Sequence, residues 1–137
     1  AELLANALHD APATASGAQP ARERAPRRLS GRERVELRYG CDARYLAIEV
    51  TDWFGSLRAP TVAGHVGMSE ARGGDKAGGR GGMGLALVYG CCNHLVFNLD
   101  YHRRTEVIGL VDVRLSPAEL RYGAKSLSVF VQDGGPT

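Results

Sequence analysis

Asp52-Trp53-Phe54-Gly55 is the most informative part of the sequence, together with a second stretch, Gly78-Gly79-Arg80-Gly81-Gly82-Met83-Gly84-Leu85-Ala86-Leu87. The first stretch places a carboxylate at the end of an apolar strand, and the second runs from glycines directly into an apolar helix. Seven of the 18 glycines lie between Gly73 and Gly84. A helix entered through glycines presents unpaired backbone N–H groups and a positive dipole end to a phosphate. A flexible linker is the alternative interpretation of the glycine cluster.

The composition is that of a single globular domain spanning 1–137. Hydrophobic residues make up 44% of the chain and charged residues 23%, and a net charge of +2 points to no class of partner. No run approaches the ~18 apolar residues of a membrane span, and no signal-peptide pattern is present. Cys41, Cys91 and Cys92 are odd in number and lack metal-site spacing, which favours a reducing, cytoplasmic setting.

The first half of the chain shows a helix, a long loop and a hairpin. Apolar residues at helical spacing predict a helix over 2–9, and the Ala-, Pro- and Arg-rich composition of 10–32 predicts a flexible loop. Alternating side chains predict strands over 35–39 and 45–51, joined by a turn at 40–42. Pro60 then begins a short helix that we expect to extend to about Met68.

The second half predicts a buried helix and three strands. Residues 69–82 are too rich in glycine for a regular element, whereas 85–94 is apolar on most sides. Strands are expected over 95–99, 105–115 and 125–132, with a capping box at 116–119 that begins a short helix. Successive hairpins among helices indicate an α+β fold.

Four motifs in the same order resemble the GHKL family of ATP-binding domains, which includes histidine kinases, Hsp90, type II topoisomerases and anti-sigma-factor serine kinases. Residues 2–9, with Glu2 and Asn6 in a Glu-x-x-x-Asn-Ala pattern, resemble the N-box of the serine-kinase branch. Residues 52–55 occupy the place of the first glycine box, 81–85 resemble the second, and 104–107 resemble the threonine-bearing strand. The resemblance implies a Bergerat fold, a two-layer α/β sandwich whose mixed, mostly antiparallel sheet is covered by helices on one face.

The resemblance assigns a role to each candidate residue. Asp52 would accept a hydrogen bond from the adenine amino group, with Thr105 supporting the same group through a water. Asn6 would bind Mg²⁺ through its side-chain oxygen, and Glu2 would act as general base on the attacking hydroxyl or water.

The glycines would hold the rest of the nucleotide. Gly79, Gly82 and Gly84 would wrap the triphosphate of ATP, with 69–83 forming the ATP lid. Gly55 would belong to the loop beneath the ribose and phosphates. For each of these residues an ordinary structural role, such as a surface turn or a solvated helix face, remains the alternative.

The sequence departs from the family pattern in two places. The first glycine box is normally Asp-x-Gly-x-Gly, but Phe54 stands where its first glycine would be. The strand and helix that normally precede the N-box are not found ahead of Glu2, so we expect an exposed edge of the sheet and an incomplete helical layer.

These observations favour a small cytoplasmic ATP-binding regulatory protein of the anti-sigma-factor or serine-kinase type. Its partner would be a sigma factor, an anti-anti-sigma factor or another signalling protein, which it would phosphorylate or switch; no membrane contact is expected, and a homodimer is left open. The alternative is a non-catalytic module, either nucleotide-binding or a scaffold, that binds a signalling partner. Residues 22–38 carry seven Arg and three Glu without an interleaved aromatic residue, so a nucleic-acid arm is disfavoured.

Overall fold

The computed structural model describes residues 2–5, 7–8, 33–71 and 83–132, and these form an α+β fold of four helices and five strands. In chain order the elements are α1 (Glu2–Ala5), β1 (Val35–Cys41), β2 (Tyr45–Asp52), α2 (Ala59–Ala71), α3 (Met83–Cys91), β3 (His94–Asp100), β4 (Arg104–Asp112), α4 (Pro117–Tyr122) and β5 (Ser126–Gln132). The predicted α+β class is therefore confirmed, and the arrangement is compatible with a two-layer sandwich. Within the described ranges, no helix has the length and apolar character needed to cross a membrane.

The five strands form one mixed sheet in the order β1-β2-β4-β3-β5. Two hairpins supply its antiparallel part, since β1 pairs with β2 and β3 pairs with β4. The hairpins join through β2 and β4, whose register places Asp52 opposite Thr105. Strand β5 returns parallel to β3 after the helical connection through α4. The predicted mixed, mostly antiparallel sheet is confirmed.

Each hairpin turn has a local cause in the sequence. The Asp42 carboxylate accepts hydrogen bonds from the backbone N–H groups of Arg44 at 2.7 Å and Tyr45 at 2.6 Å, which closes the β1–β2 turn. These bonds lower the pKa of Asp42, the bond from Tyr45 most of all. In the β3–β4 turn, His102 adopts a left-handed backbone conformation with φ 64°.

The hydrophobic core lies between one face of the sheet and the helices. Alternate residues of the central strands point toward the helices, because successive strand side chains face opposite sides. The most buried of these are Leu95, Phe97 and Leu99 of β3. They form one cluster with residues of β4, α2 and α3, namely Val107, Val62, Val66, Leu85 and Tyr89, and Leu3 of α1 packs against it.

Several predicted boundaries shift in the structure. Helix α2 extends to Ala71 rather than Met68, so the first three residues of the predicted lid, 69–83, are helical; 72–82 lie outside the described residues.

Helix α3 ends at Cys91 rather than His94. There the Lys125 ammonium donates hydrogen bonds to three carbonyl oxygens, of Gly90 at 3.0 Å, Cys92 at 2.9 Å and Leu120 at 2.5 Å. Lys125 thus caps the end of α3 and ties it to α4.

Candidate functional site

The candidate site is built on Asp52 and Thr105, which lie side by side where β2 ends and β4 begins. Both residues are buried, with exposed fractions of 5% and 3%, and both lie on the face of the sheet that carries the core. The Thr105 hydroxyl is buried yet has no hydrogen-bond partner of ordinary geometry within the described part of the chain. Its interaction with the Asp52 carboxylate lowers the pKa of that residue, so the two side chains form a buried polar pair that a water or a ligand can join.

The loop after β2 holds the Asp52 carboxylate in place. Its Oδ1 atom accepts hydrogen bonds from the N–H groups of Phe54 at 2.9 Å and Gly55 at 3.3 Å, so neither bond uses Oδ2. Burial raises the pKa of Asp52 above its usual range, although these two bonds and the neighbouring Thr105 hydroxyl act in the opposite direction. The arrangement presents an oriented, poorly solvated acceptor, which is suited to reading a donor group on a ligand.

Gly55 is required by the packing of this loop against the β3–β4 turn. Its φ of +56° lies in the left-handed region, and a Cβ atom there would lie 2.4 Å from the Arg103 nitrogen and 2.5 Å from the Asp100 oxygen. The Gly55 carbonyl accepts a hydrogen bond from the N–H of His102 at 2.9 Å. The glycine therefore has a structural role, and its predicted contact with a nucleotide stays a prediction.

Arg58 is a supporting residue that sequence reasoning missed. Its guanidinium donates to the Gly55 carbonyl at 2.8 Å, lies 3.1 Å from Nε2 of His102, and stacks 4.4 Å from the centre of the Tyr101 ring. Arg58 therefore joins the loop that positions Asp52 to the turn before β4. The local sequence does not predict this role, because two of its three partners, Tyr101 and His102, lie more than 40 residues away.

Trp53 and Phe54, the aromatic residues that follow Asp52, are half-buried. The Arg34 guanidinium lies over the Trp53 ring, 4.1 Å from its centre. A cation held over an indole face is a stabilising contact. Trp53 therefore contacts Arg34, the residue that precedes β1.

The remaining predicted residues divide between described and undescribed parts of the chain. Gly84 is buried in the first turn of α3, which packs against both α1 and α2. Glu2 lies in α1, which contacts α3. Asn6, Gly79 and Gly82 lie outside the described residues. The structure therefore brings Asp52, Gly55 and Thr105 together, and the ligand-binding roles of all the candidate residues stay predictions.

The part of the chain that the structure describes contains no cluster of metal-binding side chains. In those ranges, no group of three or more His, Cys, Asp or Glu side chains is arranged to hold a metal ion. The buried Asp112 instead forms ion pairs with Arg114 at 2.8 Å and Arg44 at 3.2 Å. These contacts, the bond from Arg114 foremost, hold the pKa of Asp112 far below its usual range, as expected of a structural ion pair.

Comparison of the chain with protein families, with curated proteins and with solved structures finds no match.

Proposed function

We propose that the chain binds ATP, with Asp52 and Thr105 recognising the adenine. The observation that carries this proposal is the buried Asp52 carboxylate beside the buried Thr105 hydroxyl, which has no hydrogen-bond partner of ordinary geometry within the described residues. An adenine amino group offers two N–H donors, so it can donate to Asp52 and to a water held by Thr105. The Bergerat fold is part of the proposal, since the described helices and mixed sheet are compatible with a two-layer α/β sandwich.

The proposed phosphate site is the beginning of α3. That helix starts at Met83 after a glycine-rich stretch, and Gly84 is buried in its first turn. Because the first N–H groups of a helix lack intrahelical partners, they can bind phosphate oxygens. Mg²⁺ held by Asn6, and Glu2 acting as general base, complete the proposal on the strength of the sequence resemblance alone.

We propose that nucleotide binding regulates a protein partner, through phosphorylation or through a nucleotide-dependent switch. The alternative is a scaffold that binds its partner without turning nucleotide over. The loop after β2 supports that alternative, because Phe54 replaces a glycine of the usual box and Gly55 is already used in packing against the β3–β4 turn.

Calorimetric titration of Asp52→Asn with ATP and with inorganic triphosphate tests the adenine assignment. We expect the substitution to weaken ATP binding at least about tenfold, a loss of ~1.4 kcal/mol, and to leave triphosphate binding within about twofold. Glu106→Gln is the matched control, since this carboxylate is one residue from Thr105 but points to the opposite face of the sheet. Equal losses for the two ligands, or no loss of ATP binding, would contradict the assignment.

A further inference from the structure

Strand β1 forms an edge of the sheet whose side chains are unusually apolar on one face. Among the described residues β1 pairs with β2 alone, so within that part of the chain no strand pairs with its other side. Leu37 and Tyr39, on the face shared with the core, are 47% and 80% exposed. Exposed edge strands of this kind pair readily with other strands, and proteins usually block them with charges or proline.

The charges of β1 complement a second copy of the same strand. An antiparallel pair of identical edge strands is centred on one residue, because outward-pointing backbone groups alternate along each strand. Centring the pair on Glu36 or Arg38 places like charges directly opposite each other, which is unfavourable. Centring it on Leu37 places Glu36 of each copy opposite Arg38 of the other and creates two cross-strand ion pairs.

The same register also matches the apolar face. Leu37 of one copy lies opposite Leu37 of the other, and each Tyr39 lies opposite Val35. Opposed residues of an antiparallel pair share a face, so these side chains cover one another on the side where they are exposed. Within one copy the Arg38 guanidinium already lies 2.8 Å from the Glu36 carboxylate, so both charges are held at this edge.

We propose that two copies of this chain form a symmetric dimer by pairing their β1 strands antiparallel about Leu37, so that the two sheets become one. Helices of both copies then lie on the same side of the joined sheet, because a twofold axis perpendicular to the sheet preserves its faces. Five residues of each strand, 35–39, face their counterparts in this register. So short an interface gives a weak dimer with a micromolar dissociation constant. This proposal does not rest on the proposed nucleotide binding.

A charge exchange followed by sedimentation velocity tests the register. Glu36→Arg and Arg38→Glu each place like charges opposite one another, so each variant alone should dimerise at least about tenfold more weakly than the unmodified chain. When the two variants are mixed in equal amounts, the dimer with one copy of each has only opposite charges facing each other. The dissociation constant of this mixed dimer should lie within about threefold of that of the unmodified dimer. Arg121→Glu is the control for Arg38→Glu, because it makes the same charge change on α4, and it should leave the dissociation constant of the dimer unchanged.

Other occupants of the edge predict different results. If another protein or another segment of this chain covers β1, the unmodified chain will stay monomeric up to about 1 mM, and the proposal is then wrong. It is equally wrong if either variant dimerises normally or if mixing restores nothing. Amide hydrogen exchange of the unmodified chain needs no substitution: 35–39 should gain protection with protein concentration, and unchanged exchange there would overturn the proposal.

Discussion

Asp52 is a buried acid that costs stability at neutral pH. Its carboxylate loses most of its hydration, and the N–H groups of Phe54 and Gly55 compensate only in part, since the pKa of Asp52 remains raised. A group whose pKa is higher in the folded state favours folding less as it ionises. Such a residue is better explained by binding than by stability, because an amide would fit the same hydrogen bonds without the charge.

The pH dependence of Asp52→Asn checks this cost. Below the unfolded pKa of an aspartate, about 4, the carboxyl is protonated in both states. As pH rises through the raised folded pKa of Asp52, the unmodified chain loses stability and the variant does not. The free energy of unfolding of the variant, measured in urea relative to the unmodified chain, should therefore increase with pH. A relative stability that decreases with pH, or that changes equally in Glu106→Gln, would contradict this interpretation.

Gly55 is a position where one methyl group should be costly. In Gly55→Ala the new Cβ meets backbone atoms of Arg103 and Asp100 and the φ of +56° becomes strained, so we expect a loss of at least about 2 kcal/mol in the free energy of unfolding. Gly64→Ala is the control, because it lies within α2 with nothing within 4 Å of its Cβ and should gain about 0.5–1 kcal/mol. Equal stabilities of the two variants would refute the packing role of Gly55.

At the scale of the elements, short-range patterns in the sequence predicted the two hairpins and the short helix α4. Both hairpins and the helix begun by the Ser116 capping box follow from side-chain alternation and from local hydrogen bonds. The end of α3 was wrong by three residues, because it depends on Lys125, more than 30 residues further along the chain. Contacts of that range leave no trace in the local pattern of apolar residues.

Lys125→Met should loosen the join between α3, α4 and β5. The ammonium donates to three carbonyl oxygens, and burial lowers the pKa of Lys125. Methionine keeps much of the side-chain volume but leaves those carbonyls unpaired, which should cost about 1–3 kcal/mol in the free energy of unfolding. Arg121→Met, an exposed position on α4, should cost less than about 0.5 kcal/mol. A Lys125 variant as stable as this control would show that the cap is dispensable.

At the scale of the whole molecule, the sequence predicted the α+β class and the position of Asp52, but not how the site is supported. The Asp52–Thr105 pairing was implied by the resemblance and is present in the register of β2 and β4. The contact of Arg58 with Gly55 and the β3–β4 turn could not be predicted, because it depends on how the two hairpins meet. Within the described residues β1 is an edge strand of the sheet, and Tyr39 on it is largely exposed.

The most direct test of adenine recognition at Asp52 and Thr105 is a calorimetric comparison of ATP with inosine triphosphate on the unmodified chain. The two nucleotides differ at C6, where adenine carries an amino group and hypoxanthine a carbonyl that cannot donate to the Asp52 carboxylate, and at N1, which is an acceptor in adenine and an N–H donor in hypoxanthine. We predict that ATP binds at least about tenfold more tightly, a difference of ~1.4 kcal/mol or more. Equal affinities for the two nucleotides, or no binding of ATP at millimolar concentration, would contradict the account.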